Sequence, residues 1–438
     1  MKKTTIFSVS TLILTAILVL SALYSVIASD IVSASVESVG NIYDTVEVSD
    51  LNALPVDGDG ALSGSVSVSA RSAVLLDGSS GNIIYAKDAY KRLAMASTTK
   101  IMTCLVALES GIPLENIVTI TKEMTGAEGS SIYLYPGERF TLGDLLYALM
   151  LNSANDTAEA IAIYIAGSVE KFAVMMNLKA DELRLTDTHF ANPHGLDAPL
   201  HYTTALELAK ITAAALKNES FEKIVSTETK VIYPKDAQGN DDPKGARYLH
   251  NHNKMLYRYD DAIGVKTGYT KSSGRSLVSA ARRDKTLLIA VTINAPDDWN
   301  DHTSMLNYGF KNYSTVTLAY AGELKYELSI VGGIRYHKSA DGKIEPIKID
   351  SIKCESYGEV AASLPNYVMK EDVKLIVELR DFVYAPVKTG DIVGRVKFTH
   401  GGIIIAETEI VSSEDVYAPE RQKNLWDKIL QFFGITQE

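Results

Sequence analysis

Ser97-Thr98-Thr99-Lys100 sets a hydroxyl and an amine three residues apart, which on a helix means the same face, one turn along. The two side chains can touch. A serine hydroxyl is a weak nucleophile at neutral pH and needs an adjacent base; a lysine can serve if its pKa is brought down. The serine opens a helical pattern, with Ile101, Leu105 and Leu108 at helical spacing, Met102 and Val106 beside them, and Gly111 and Pro113 closing the run. A helix start offers unpaired amides and the positive end of the dipole, which favour developing negative charge. Alone, the pattern recurs by chance in long chains, and a capping serine with a solvated lysine would explain it.

Two further elements change that balance. Ser153-Ala154-Asn155 lies just beyond one apolar helix and at the junction with another, and offers a second hydroxyl and an amide. Lys266-Thr267-Gly268 lies inside an apolar strand, 263–269, where a cation and a hydroxyl project from a sheet and Gly268 removes a side chain that would block a ligand. In this order, on helix start, helix junction and strand, the three match the Ser-x-x-Lys, Ser-x-Asn and Lys-Thr-Gly arrangement of β-lactamases and penicillin-binding proteins. Lys388-Thr389-Gly390 repeats the third motif, but it follows Ala385-Pro386 and precedes Asp391, with no serine motif after it. It reads as a turn between strands.

Outward from these motifs, short apolar runs at 72–76 and 83–86 flank Asp77-Gly78-Ser79-Ser80-Gly81, a hairpin signature. Thr141 and Asp144 resemble a capping box before a helix at 145–151, and helical patterns continue over 156–166 and 169–183. Between 263 and 294 three apolar runs separated by turns predict an antiparallel meander. After about residue 312 helical signals nearly vanish, and alternating runs at 325–331, 373–379, 393–398 and 403–410 predict a separate β domain. At the N-terminus, Lys2 and Lys3 precede an uncharged, mostly apolar stretch from Thr4 to Ala28, and Val26-Ile27-Ala28 offers a cleavage site before Ser29. The stretch is long enough to remain as an anchor instead. At the other end Leu425, Trp426, Ile429, Leu430, Phe432 and Phe433 share an apolar face, so that helix either docks on its own domain or lies in a membrane interface. The expected units are a leader or anchor (1–28), a linker (29–69), a catalytic domain (70–312), a β domain (313–415) and an amphipathic membrane-associating helix (416–438).

Composition narrows the function. The 438 residues are 46% hydrophobic and 22% charged, a globular balance. A net charge of −11 without a long basic run argues against nucleic acid. The two cysteines, Cys104 and Cys354, exclude a disulfide framework and a thiolate metal cluster. His250 and His252 stand two apart, and His189, His194 and His201 cluster, but no His-Glu-x-x-His occurs. They read as surface or loop histidines, and no metal or cofactor is implied.

The chain resembles the low-molecular-weight penicillin-binding proteins of the serine D-alanyl-D-alanine carboxypeptidase family, peptidase family S11, from about residue 70 onward. Asn192-Pro193-His194-Gly195-Leu196, His201-Tyr202-Thr203-Thr204-Ala205 and Gly264-Val265-Lys266-Thr267-Gly268-Tyr269-Thr270 are similar to the family's own stretches, and the segment from Ala385 to Gly394 resembles its C-terminal domain. The resemblance implies an α+β fold: a β-lactamase/transpeptidase-like catalytic domain, an antiparallel sheet flanked by helices, followed by an all-β sandwich-like domain. It implies an exported enzyme at the extracytoplasmic face of the membrane, acting on peptidoglycan stem peptides ending in D-Ala-D-Ala and acylated by β-lactams. Ser97 would be the nucleophile, Lys100 its base, Ser153 a proton relay, and Asn155 a holder of the substrate backbone. Lys266 and Thr267 would meet the terminal carboxylate, and the backbone amides of Ser97 and Tyr269 would form the oxyanion hole. Lys266 near Lys100 would push Lys100 toward its neutral form.

Two departures stand out. Tyr269 occupies a position where some relatives carry histidine, and Asp297, Asp298 and Trp299 stand where some place an arginine. A serine β-lactamase would need a water-activating glutamate; Glu159, Glu170 and Glu182 fall in helical stretches and read as solvated. A wall-binding protein without turnover would not need a nucleophile and base one turn apart.

Overall fold

The computed structural model describes residues 66–419. The predicted hairpin forms β1 (Ser72–Asp77) and β2 (Ile83–Lys87). Two small ribbons follow, β3 (Ile117–Thr119) with β4 (Arg139–Thr141), and β5 (Thr229–Ile232) with β6 (Arg247–His250). The meander is β7 (Ala262–Thr270), β8 (Gly274–Arg283) and β9 (Thr286–Ile293). Together they build a five-stranded, wholly antiparallel sheet in the order β2-β1-β9-β8-β7, so β7, which carries Lys266, lies at an edge.

Every residue of β1 and β9 is buried, because both faces of the sheet are covered. Val74, Leu76, Ile289, Val291 and Ile293 meet the main helical cluster, which contains Ile101, Leu105, Leu145, Leu149 and Ile161. Ala73, Leu75, Leu288 and Ala290 face the opposite way, onto Met305 and Leu306 of the Asp298–Asn312 helix. Each fully buried aliphatic side chain stabilises this arrangement by about 1.5–3 kcal/mol.

The helix at Leu142–Leu151 starts where the capping signal placed it, with Thr141 Oγ1 accepting from Asp144 N at 3.0 Å. Asn155–Ala166 and Val169–Glu182 follow. The expected linker boundary at residue 69 is displaced: Val68 is buried, and Asp301 accepts from the amides of Ser69 and Ala70 and from Ser69 Oγ. The leader at 1–28 and most of the linker lie outside the described residues.

The β domain comprises β10 (Tyr313–Ala319), β11 (Lys325–Lys338), β12 (Ile344–Ser356), β13 (Val360–Pro365), β14 (Lys374–Leu379), β15 (Phe382–Tyr384), β16 (Ile392–His400) and β17 (Ile403–Ser412). A two-stranded sheet, β10-β13, and a six-stranded sheet in the order β14-β16-β17-β12-β11-β15 enclose one apolar core that includes Ile352, Val396, Phe398 and Ile410. Lys388-Thr389-Gly390 is an exposed turn of this domain, with Thr389 bonded to Asp415. The expected helix boundary at 416 is corrected: Val416 bridges Val387 and Tyr417 bridges Ile334, because those strands still have open backbone groups there. The apolar face at 425–433 lies outside the described residues.

Candidate active site

Ser97 sits in a 3-10 turn, Ala96–Thr99, that runs directly into the Lys100–Glu109 helix. Ala96 adopts φ +49°, a left-handed conformation that costs a non-glycine residue free energy. The turn is held from several sides. Thr98 Oγ1 donates to Met95 O at 2.6 Å and Thr99 Oγ1 to Ala96 O at 2.8 Å. His201 Nδ1 accepts from the Ala191 amide, which leaves the ring proton on Nε2 to donate to Thr99 Oγ1 at 2.8 Å. Burial first, then its neighbour His189, lowers His201 to about 4, so the ring stays neutral.

Lys100 Nζ lies 3.1 Å from Ser97 Oγ. It donates to Asn155 Oδ1 at 2.7 Å and to the main-chain oxygen of His194 at 2.6 Å. A neutral amine has two hydrogens; with both given to these acceptors, its lone pair faces the serine hydroxyl. Lys100 is 0% exposed. That burial, reinforced by the charge of Lys266 and opposed by Asp156, holds its ammonium well below the ordinary lysine range. Lys266 is also buried, which brings it down to about 7, and its Nζ donates to Thr267 O at 2.9 Å.

Ser153 is buried at φ +58°, at the sharp junction between Leu142–Leu151 and Asn155–Ala166. Asn155 reaches the base itself. Its Oδ1 takes Lys100, and its Nδ2 donates to Glu128 O at 2.5 Å, so both ends of the amide orient the protein's own base and loop. A Cβ on Gly268 would stand 3.1 Å from Ser97 N and from Met95 O, so the missing side chain lets the nucleophile's turn approach β7. Tyr269 is exposed beside it, and Thr267 is half-buried.

Several contributors carry little sequence signal. The His194 carbonyl has none, since any residue has one; its placement depends on Asn192, whose Oδ1 accepts from Gly195 N at 2.7 Å. Gly195 has φ +91°, and a Cβ on it would lie 2.0 Å from Ala96 O. Asp156 is a buried carboxylate that accepts from Ser131 Oγ at 2.6 Å and from the amides of Ile132, Leu134 and Thr157 at 3.3, 3.0 and 2.9 Å, fixing the loop over the site.

His194 and His201 lie in loops and are buried. Burial, then the charge of Lys100, lowers His194 to about 3. Glu159 is half-buried rather than solvated, with Oε1 3.6 Å from His194 Nε2; burial and then Asp156 raise its carboxyl above the ordinary range. Asp298 binds Arg275 at 2.7 Å, and Trp299 lies beside that guanidinium. His252, whose amide donates to Leu151 O, has its pKa lowered by partial burial and then by Lys266. Among the described residues no group of three His, Cys, Asp or Glu side chains could hold a metal.

Comparison with known proteins agrees with this geometry. The family profile described as D-alanyl-D-alanine carboxypeptidase matches residues 60–297, and one described as penicillin-binding protein 5, C-terminal domain, matches residues 363–418. The chain is 32% identical to D-alanyl-D-alanine carboxypeptidase DacF of Bacillus subtilis over 365 residues, 82% of this chain and 88% of that one. It is 29% identical to DacC of Escherichia coli, covering 83% of this chain and 90% of that one. The solved structure of penicillin-binding protein 5 from Haemophilus influenzae covers 81% of this chain and 100% of its own, with TM-score 0.64 at 27% identity. The chain belongs to the serine D-alanyl-D-alanine carboxypeptidase family S11, exported hydrolases that act on peptidoglycan stem peptides and bind β-lactams.

Proposed function

We propose that Ser97 carries the acyl group of the carboxypeptidase reaction and that neutral Lys100 is its base. Ser97 Oγ attacks the carbonyl carbon between the two terminal D-alanines while its proton moves to Lys100 Nζ. The carbonyl oxygen becomes an oxyanion facing the amides of Ser97 and Tyr269, which Gly268 allows to approach. Collapse breaks the C–N bond, and the leaving amine takes a proton relayed from Lys100 through Ser153. D-Alanine departs, and water then cleaves the ester, returning Ser97 Oγ–H and a stem peptide one residue shorter. Lys266 and Thr267 hold the terminal carboxylate. Asn155 orients Lys100 through Oδ1 and holds the substrate backbone through the Nδ2 hydrogen that the Glu128 carbonyl does not take.

The single observation behind this reading is the set of three contacts around Lys100 Nζ, to Ser97, Asn155 and the His194 carbonyl. The test is covalent. Incubation with labelled penicillin followed by peptide mapping should place the adduct on Ser97, and Ser97→Ala should carry none while keeping its thermal midpoint. An adduct on another residue contradicts the assignment. We also propose that residues 1–28 direct export, residues 29–65 form a linker, residues 66–312 and 313–419 form the catalytic and β domains, and the apolar face at 425–433 rests on the membrane surface.

A further inference from the structure

We propose that Tyr133 is a stacking platform for a pyranose ring, so that the enzyme recognises the saccharide joined to its stem peptide as well as the peptide itself. The proposal rests on the carboxypeptidase reading and adds a subsite to it. Tyr133 is 74% exposed, yet its backbone is among the most tightly held near the site. The amides of Ile132 and Leu134, on either side, both donate to the buried carboxylate of Asp156, and the Tyr133 amide donates to Ser131 Oγ at 2.9 Å. From the other side, Arg247 donates to Ile132 O at 2.9 Å and to Tyr133 O at 3.2 Å. Ile132 and Leu134 are buried, so the alternation directs the intervening tyrosine outward. Tyr133 has φ +59°, a conformation an aromatic residue rarely adopts and one that persists only when its surroundings impose it. A buried acid, an arginine and two apolar anchors thus hold one strained aromatic ring out into solvent.

The place of that ring fixes what it could meet. Asp156 follows Asn155, which binds Lys100, and the Asn155 amide donates to Ser130 O at 2.7 Å. The loop bearing Tyr133 is therefore the rim of the catalytic cleft. Three or four extended residues span roughly 10–14 Å, so the sugar at the far end of a stem peptide clears the buried groups around Ser97 and reaches the rim instead of the floor. The chemistry of the rim suits a neutral ring. The nearby cation, Arg247, already gives its donors to Ile132 O, Tyr133 O, Gly245 O and Glu138, leaving an aromatic face with a hydroxyl at its edge. A pyranose presents C–H groups to such a face and hydroxyls to its surroundings.

The test compares two substrates with the same D-Ala-D-Ala stem peptide, one free and one carrying its disaccharide, using the chain cleared of any detached leader. The wild type should turn over the saccharide-bearing substrate with the higher kcat/KM. Tyr133→Ala should reduce the ratio between the two substrates by about 3- to 10-fold, the size of an aromatic contact, and Tyr133→Phe should largely restore it. Tyr248→Ala, which removes an exposed tyrosine from the outward face of β6, should leave the ratio unchanged. A wild type without preference, or a ratio unaffected by Tyr133→Ala, overturns the proposal. Failure of the wild type to release D-alanine from either substrate would instead overturn the carboxypeptidase reading on which it rests.

Discussion

Two lysines within one buried site divide the chemistry because their partners differ. Lys100 gives both hydrogens of a neutral amine to fixed acceptors, whereas Lys266 has the Thr267 carbonyl and a pKa near 7. In the free enzyme kcat/KM should therefore fall above pH about 7, as Lys266 loses the charge that meets the substrate carboxylate; a profile rising through pH 8–9 would contradict this. Burying Lys266 also has a stability cost of definite sign. Its folded pKa lies below its unfolded one, so the cost is full below pH about 7 and fades as pH rises toward the ordinary lysine range. Lys266→Met should abolish turnover yet stabilise the fold at pH 7 by on the order of 1–3 kcal/mol, read as a higher thermal midpoint, with the gain shrinking toward pH 10. At this scale the sequence was informative where spacing dictates contact, as between Ser97 and Lys100. It was silent on the contacts that the His194 carbonyl and Asn155 make with Lys100, because partners 94 and 55 residues away leave no local pattern.

Elements hold the site through a few backbone positions. The turn bearing Ser97 touches β7 at Gly268 and the His194 loop at Gly195, where added Cβ atoms would crowd Ser97 N and Ala96 O. Gly195→Ala should destabilise the turn and suppress acylation even though no catalytic side chain changes. Asp156 is the equivalent anchor for the rim loop. Asp156→Ala strands buried amide donors and should cost about 3–5 kcal/mol, measurable as a lowered denaturation midpoint together with faster amide exchange at Ile132 and Leu134. Exchange unchanged at those two amides would show that the carboxylate does not hold the loop. The hairpin, the Thr141 cap and the meander were all legible, since each is written in local residues. The Ala205–Ala215 and Glu219–Val225 helices were not picked out. Nor was the 3-10 turn before Lys100, whose left-handed Ala96 is imposed by contacts with distant segments.

Across the whole molecule, the catalytic and β domains meet at polar contacts of unequal worth. Asp77, buried in the β1–β2 turn, accepts from Ser363 N at 2.9 Å while also binding Ser79 and Ser80. Asn82 Nδ2 donates to Ile405 O at 2.8 Å. The Lys285–Glu359 pair is exposed and contributes little. Asp77→Ala should therefore separate the thermal unfolding of the two domains, while Glu359→Gln should not; coincident transitions in Asp77→Ala would show that the joint lies elsewhere. The existence of a β domain could be read from its alternating runs. Its strand order, including the parallel pairing of β11 with β15, could not, since register between distant strands depends on packing. The claim that binds all three scales is a neutral lysine facing a serine, and the pH dependence of Ser97 acylation by labelled penicillin tests it most directly. The rate should not fall as pH drops from 9 to 8 but rise, as Lys266 regains the charge that meets the drug's carboxylate; a rate falling about tenfold per unit below pH 10 would mean that Lys100 is charged and is not the base.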